Sequence, residues 1–139
     1  VEGIPIIKPP WGRISAIDLN KGELLWQVAH GETADNIRNH RLLEGVDVPR
    51  TGRPGRVGTL ITKTLVIAGD GGAFTNEEGV QGAMLRAYDK MNGQELGAVY
   101  IPQMQTGSPM TYTIDGKQHI VVAVSGGGYG GELVAFRLP

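Results

Sequence analysis

The sequence contains no cysteine in its 139 residues. That excludes disulfides and thiolate metal sites but leaves the compartment open. It has no run of about 18 apolar residues, so no segment reads as a membrane-spanning helix. It has almost no net charge: 13 Lys and Arg against 14 Asp and Glu leave −1. Nothing in that balance makes an electrostatic footprint for nucleic acid or an anionic membrane. Aromatic residues are few, at 6%. The three histidines, His30, His40 and His119, share no metal-ligand spacing. Ser108 and Ser125 lack the His and Asp partners of an acyl-transfer site. No glycine-rich turn stands between a strand and a helix, which argues against a nucleotide fingerprint.

Glycine is plentiful, at 22 residues, alongside 8 prolines. Without a three-residue period, such a content means many turns. The chain is organised around ISAIDLNKGELLW at positions 14–26, which spaces Ala16, Asp18, Gly22 and Trp26 as A-x-D-x-x-x-G-x-x-x-W. Ala87, Asp89 and Gly93 repeat the first three letters, and a weaker echo, ELVAFRL, ends the chain. Each copy reads as an apolar strand, a tight turn and usually a second strand. The Asp accepts turn N–H groups, and the Gly supplies a positive φ. Trp26 offers a flat surface to a neighbouring sheet. In the second copy Gly97 stands in the Trp position, leaving that surface missing or supplied by Tyr100. One hairpin cannot bury such a surface alone, so the repeat predicts stacked β units.

In chain order, an extended lead-in precedes strands at 13–19 and 23–29. A long polar connection at 30–55 follows, with a helix-compatible patch at 35–43. Further strands are expected in a hairpin over 57–69, turning at Lys63 and Thr64, and at 83–89, 94–101, 109–114, 118–125 and 132–138. The stretches 70–82 and 126–131 read as loops. About nine strands result, so the expected fold is all-β, with antiparallel four-stranded sheets and almost no helix.

Five blocks carry a resemblance: KPPWGRISAIDLNKGELLWQ, GTLITKTLVIAGDGG, GAMLRAYDKMNGQELGAVYIP, GSPMTYTIDGKQHIVVAVSGG and GELVAFRLP. In order and spacing they resemble the C-terminal part of the quinoprotein dehydrogenases, the glucose or sugar type most of all. The Ala-Asp-Gly-Trp pattern is similar to that family's tryptophan-docking repeat. The resemblance implies an eight-bladed β-propeller, of which this chain is an incomplete portion of about two to two and a half blades. Residues 13–29 would end one blade, 57–101 form a complete blade, and 107–139 give three strands of the last. It also implies pyrroloquinoline quinone (PQQ) near the axis with a calcium ion, and oxidation of an aldose or alcohol hydroxyl in the periplasm. Electrons would pass to quinone or a cytochrome. The catalytic base and the calcium ligands lie upstream in the family, so no residue here is assigned to catalysis or metal. The cofactor-facing candidates are Gly128 and Tyr129 in GGGYGG, next to a position where alcohol-oxidising members carry Gly-Gly-Trp.

Other candidates have a plain alternative. Asp70, Asn76, Glu77 and Glu78 offer oxygen ligands of the kind calcium takes, without EF-hand spacing, and otherwise form a solvated turn. His40, with Arg38 and Arg41, could face a substrate entrance or belong to an exposed loop. Trp26, Asp18 and Asp89 read as structural. The expected partners are the remainder of the propeller, a sugar or alcohol substrate, and a quinone or cytochrome acceptor. Open sheet edges also invite self-association. The competing functional reading is a non-catalytic propeller that keeps these repeats as an interaction scaffold. The chain reads as a piece of something longer.

Overall fold

The computed structural model describes residues 2–137. Among these described residues, ten strands fall in three antiparallel sheets. The first sheet pairs β1 (Arg13–Asp18) with β2 (Glu23–Ala29). The second has the order β3 (Leu60–Ile61), β4 (Leu65–Gly69), β6 (Gln81–Asp89), β7 (Glu95–Ile101), with the short β5 (Phe74–Thr75) also on β6. The third has the order β8 (Met110–Ile114), β9 (Lys117–Gly126), β10 (Tyr129–Arg137). Among the described residues, helix is confined to α1 (Asp35–Arg38) and one 3₁₀ turn at Arg41–Leu43.

The two full copies of the repeat fold alike. In the first, Asp18 Oδ1 accepts the Asn20 N–H at 2.9 Å, and Gly22 N–H donates to Asp18 O at 2.7 Å. In the second, Asp89 Oδ1 accepts Met91 N–H at 2.7 Å, and Gly93 N–H donates to Asp89 O at 2.9 Å. Both hairpins carry a bulge at the same place. Ala16 pairs with Trp26 and Ile17 with Leu24; Ala87 pairs with Gly97 and Tyr88 with Glu95. Trp26 therefore finds its register counterpart in Gly97.

Trp26 spans the gap between the first and second sheets. Its indole N–H donates to Lys90 O at 3.0 Å, and its ring lies so close over Gly93 that a Cβ there would come within 2.6 Å of Cε3. Gly93 is thus required twice, for its positive φ of 76° and for the ring above it. Between the second and third sheets lies the apolar core. Ile67, Ala83, Leu85 and Ile101 meet Ile120, Val122 and Val124. The period-two burial of Ile120, Val122 and Val124 along β9 is what a half-buried strand requires.

The structure departs from expectation in the loops. The 70–82 stretch contains β5, because Phe74 and Thr75 pair with Gly82 and Gln81. The glycine-rich 126–131 stretch is a hairpin. Gly126 pairs with Tyr129, and positive φ values of 56° and 82° at Gly127 and Gly128 reverse the chain. Leu19 lies in the turn, 91% exposed, and not in the strand. The expected end of the last strand, Leu138, lies outside the described residues. Tyr100 does not replace the missing indole; it packs against Gly82 and donates to Gln81 O at 3.2 Å. Replacing Trp26 with Ala should lower unfolding free energy by about 2–4 kcal/mol, since a half-buried indole and its hydrogen bond are both lost. Denaturant unfolding with an unchanged midpoint would remove Trp26 from the forces joining the first two sheets.

Candidate functional site

Polar side chains gather at one end of the sheets, where β2, β4 and β9 finish. The apolar run LVIAG carries β4 into the interior, so Asp70, the residue after it, is fully buried. A carboxylate there needs a partner, and Arg86 on β6 provides it. Arg86 Nε donates to Asp70 Oδ1 at 2.8 Å and Nη2 to Oδ2 at 3.2 Å. The same guanidinium donates to Glu32 Oε1 at 2.8 Å and to Glu95 Oε1 at 3.0 Å. Arg50 Nη1 forms an ion pair with Glu95 Oε2 at 2.8 Å. Burial alone would lower the Arg86 pKa, but the Asp70 hydrogen bond and the surrounding carboxylates outweigh it and raise it.

His30 sits next to this cluster, buried, at the end of β2. Its Nε2–H donates to Gly69 O at 3.1 Å, and its Nδ1 accepts the Tyr88 O–H at 2.9 Å. Those bonds favour one neutral tautomer. Burial holds the His30 pKa below its ordinary 6.5 and pushes that of Tyr88 up. Gln105 bridges the second and third sheets. Its Oε1 accepts Gly69 N–H at 2.6 Å, its Nε2 donates to Gly58 O at 2.8 Å, and its backbone makes a bridge with Val124. The long connection after β2 is held down here as well. Trp11 N–H donates to Thr51 O at 2.7 Å, His30 N–H to Gly12 O at 3.0 Å, and Arg53 N–H to His30 O at 2.8 Å. Gly12 and Gly52 permit this because a Cβ on either would collide with backbone at 2.2 or 2.1 Å.

The β9–β10 hairpin projects from the same end of the sheets. Tyr129 is 40% exposed, and its hydroxyl donates to Glu132 Oε1 at 2.6 Å, which raises its pKa. A Cβ added at Gly128 or Gly130 would meet nothing within 4 Å. The tip therefore offers bare backbone and one phenol, a surface that a flat ring can approach closely and that fits one side of a planar cofactor. A calcium ion does not fit these residues: among the described residues no group of three carboxylate or imidazole side chains is placed to hold a metal ion, and the three carboxylates that do gather, Asp70, Glu32 and Glu95, are taken up by Arg86.

The remaining candidates are occupied locally. Asp70 is neither a solvated turn residue nor a free ligand, because Arg86 holds it. Asn76 Oδ1 accepts Glu78 N–H at 3.0 Å and Val80 N–H at 2.8 Å, closing its own loop beside the exposed Glu77. His40 accepts Leu42 N–H at 3.2 Å and donates to Glu2 O at 2.9 Å, while Arg41 pairs with the Glu2 carboxylate. Arg38 pairs with Glu32 at 3.5 Å. His119 stacks on Tyr112, their centroids 5.0 Å apart. Ser108 abuts Gly58, and Ser125 donates to the Thr106 hydroxyl at 3.4 Å. Sequence reasoning missed the Arg86 cluster. The signal for it was a lone arginine inside the otherwise apolar GAMLRAY, a position that requires a buried counter-ion.

Repeated antiparallel sheets stacked face to face, joined by a repeat-borne indole in one place and an apolar core in the other, define a partial β-propeller. Residues 1–120 match the family model described as the glucose/ethanol/alcohol dehydrogenase β-propeller domain, PQQ type. Over 99% of its length the chain is 32% identical to quinoprotein glucose dehydrogenase A of Acinetobacter calcoaceticus. It is 33% identical to a probable quinate dehydrogenase (quinone) of Xanthomonas campestris pv. juglandis, again over 99%. It is 29% identical over 99% to the glycerol dehydrogenase large subunit of Gluconobacter thailandicus. It spans 16%, 17% and 18% of those relatives respectively, so it corresponds to about a sixth of their length. The chain belongs to the PQQ-dependent glucose/ethanol/alcohol dehydrogenase family.

Two outcomes check the buried cluster. Arg86→Met strands the Asp70 carboxylate and should cost about 3–5 kcal/mol, part of which Asp70→Asn restores in the double variant; a null effect in denaturant unfolding contradicts the cluster's role. For His30, the unfolded chain takes up a proton as pH falls through about 6.5, whereas the folded chain holds the ring neutral to lower pH. This contribution is full above that pH and declines below it. The melting temperature should therefore fall between pH 7 and pH 5, less steeply in His30→Gln, and equal slopes would rule the histidine out.

Proposed function

We propose that the chain is part of a PQQ-dependent dehydrogenase that oxidises an aldose or alcohol hydroxyl in the periplasm and passes the electrons to quinone or a cytochrome. The observation that carries this reading is the match of residues 1–120 to the family's propeller domain. When bound, PQQ supplies the quinone carbon that accepts the hydride, with a calcium ion held by residues elsewhere in the protein. The catalytic base also lies elsewhere. This chain's contribution is a wall: the 126–131 hairpin lays Gly128 backbone and the Tyr129 ring against the cofactor, and the Arg86 and His30 clusters hold that end of the sheets rigid.

The remainder of the propeller is the main partner. Leu24 and Leu25 on β2 and Leu133 on β10 are 58%, 60% and 73% exposed, and β10 has an unpaired edge. Faces and edges of this kind require covering by further blades. Without that cover they drive self-association. Trp26 on Gly93 is this chain's copy of the family's tryptophan-docking repeat.

The test is reconstitution of the full-length protein with PQQ and calcium, followed by dye-linked oxidation of a panel of aldoses and alcohols. Saturable turnover with at least one is expected, and Tyr129→Ala should weaken PQQ binding while leaving the circular dichroism spectrum unchanged. No turnover with any of these substrates would favour a non-catalytic scaffold.

A further inference from the structure

The two full repeat turns differ in one chemical respect. Asn92 and Gly93 form the one Asn-Gly pair in the sequence, whereas the first turn carries Lys21 before its glycine and its Asn20 before that lysine. An asparagine followed by glycine readily loses its side-chain amide. No Cβ hinders the next backbone nitrogen from reaching the side-chain carbonyl carbon, and glycine adopts the backbone angles that ring closure needs. Asn92 is exposed, so water reaches its amide.

The folded turn opposes that reaction. Gly93 N–H donates to Asp89 O at 2.9 Å, and Asn92 Oδ1 accepts Gln94 N–H at 2.8 Å, so both reacting groups are engaged elsewhere. Ring closure also requires the Asn92–Gly93 peptide to rotate, and Gly93 is closed in. A Cβ there would lie 2.6 Å from Trp26 Cε3 and 3.0 Å from Val28 Cγ1. The indole is held over it by the 3.0 Å bond from its N–H to Lys90 O. The first turn has no such cover: a Cβ on Gly22 would meet nothing within 4 Å. The covered turn is the one that carries the labile pair.

We propose that Asn92 is a site of spontaneous deamidation gated by Trp26, and that its isoaspartyl product keeps the first two sheets from docking again. When the indole lifts, Gly93 N attacks Asn92 Cγ. A cyclic succinimide forms, and ammonia leaves with the Gly93 amide proton. Water then opens the ring. Breaking the bond from Gly93 N to Cγ gives aspartate; breaking its bond to the Asn92 main-chain carbon gives isoaspartate, which joins Gly93 through Cγ. A water is consumed and an ammonia released, with no change of oxidation state. Isoaspartate lengthens the backbone by a methylene inside a turn that closes between Asp89 and Gly93. Gly93, at a φ of 76°, is then displaced from the space under the ring. A brief separation of the sheets thereby becomes permanent. The site stands apart from the PQQ reading, since neither the cofactor nor any turnover enters the argument.

The complete polypeptide that carries these residues is incubated at mildly alkaline pH and its peptides mapped by mass spectrometry, with isoaspartate told from aspartate by enzymatic methylation. Conversion at Asn92 should be slow in the folded protein and fast in urea, while Asn20 stays intact in both. Trp26→Ala should raise the folded-state rate about tenfold, because the rate follows the population of the opened turn. Should that variant fail to fold, Trp26→Phe, which keeps a ring over Gly93 without an N–H for Lys90 O, should give a smaller rise. Purified isoaspartyl protein should melt below the Asn92→Asp variant, whose turn keeps its length. Equal rates at Asn92 in the folded wild type and a folded Trp26 variant, equal rates with and without urea, or an isoaspartyl protein that melts with Asn92→Asp would each overturn the proposal.

Discussion

The Arg86 guanidinium is the constraint on which the rest of the structure depends. It sits 3% exposed on the central strand of the second sheet and touches three carboxylates from three different parts of the chain. Asp70 follows β4, Glu95 begins β7, and Glu32 lies just beyond the first sheet. One cation therefore ties a sheet to itself and to its neighbour. Such an arrangement adds little net stability relative to an apolar core of the same shape, but it strongly disfavours any other placement of its members. A slip of β4 or β7 against β6 would bury a charge with no counterpart. The glycine hairpin inherits its position from this anchoring through Gln105, which joins Gly69 to the strand next to Val124.

The two gaps between sheets solve one packing problem differently. The first is closed by an indole with a directed hydrogen bond, by His30 between Gly69 and Tyr88, and by the Glu32 ion pair. The second is closed mainly by aliphatic groups on β4, β6 and β9. Directional groups fix an angle between sheets, whereas aliphatic contacts fix mainly a distance. The angle between the first two sheets is therefore the more tightly specified.

How much of this was legible in the sequence depends on how local each interaction is. The turns at Asp18–Gly22 and Asp89–Gly93 were legible because the Asp side chain, the amides it receives and the glycine lie within five residues. The strand from Leu65 announced itself as an uninterrupted apolar run. The hairpin at Gly126–Tyr129 was not legible, since glycine is compatible with both strand and loop and only pairing decides between them. The Arg86–Asp70 and His30–Tyr88 pairs lie 16 and 58 positions apart. No local pattern encodes such distances, so Asp70 could be read from sequence only as one oxygen ligand among several.

The shared bulge has a consequence for how these hairpins can change. Side chains in a strand alternate sides, and the extra residue at Leu25 or Leu96 sets which side faces the neighbouring sheet from there onward. Gly97 in place of tryptophan leaves that alternation untouched. Deleting or adding one residue would turn the whole outer strand over, presenting its inward row to water. These hairpins should therefore accept new chemistry readily and new lengths hardly at all.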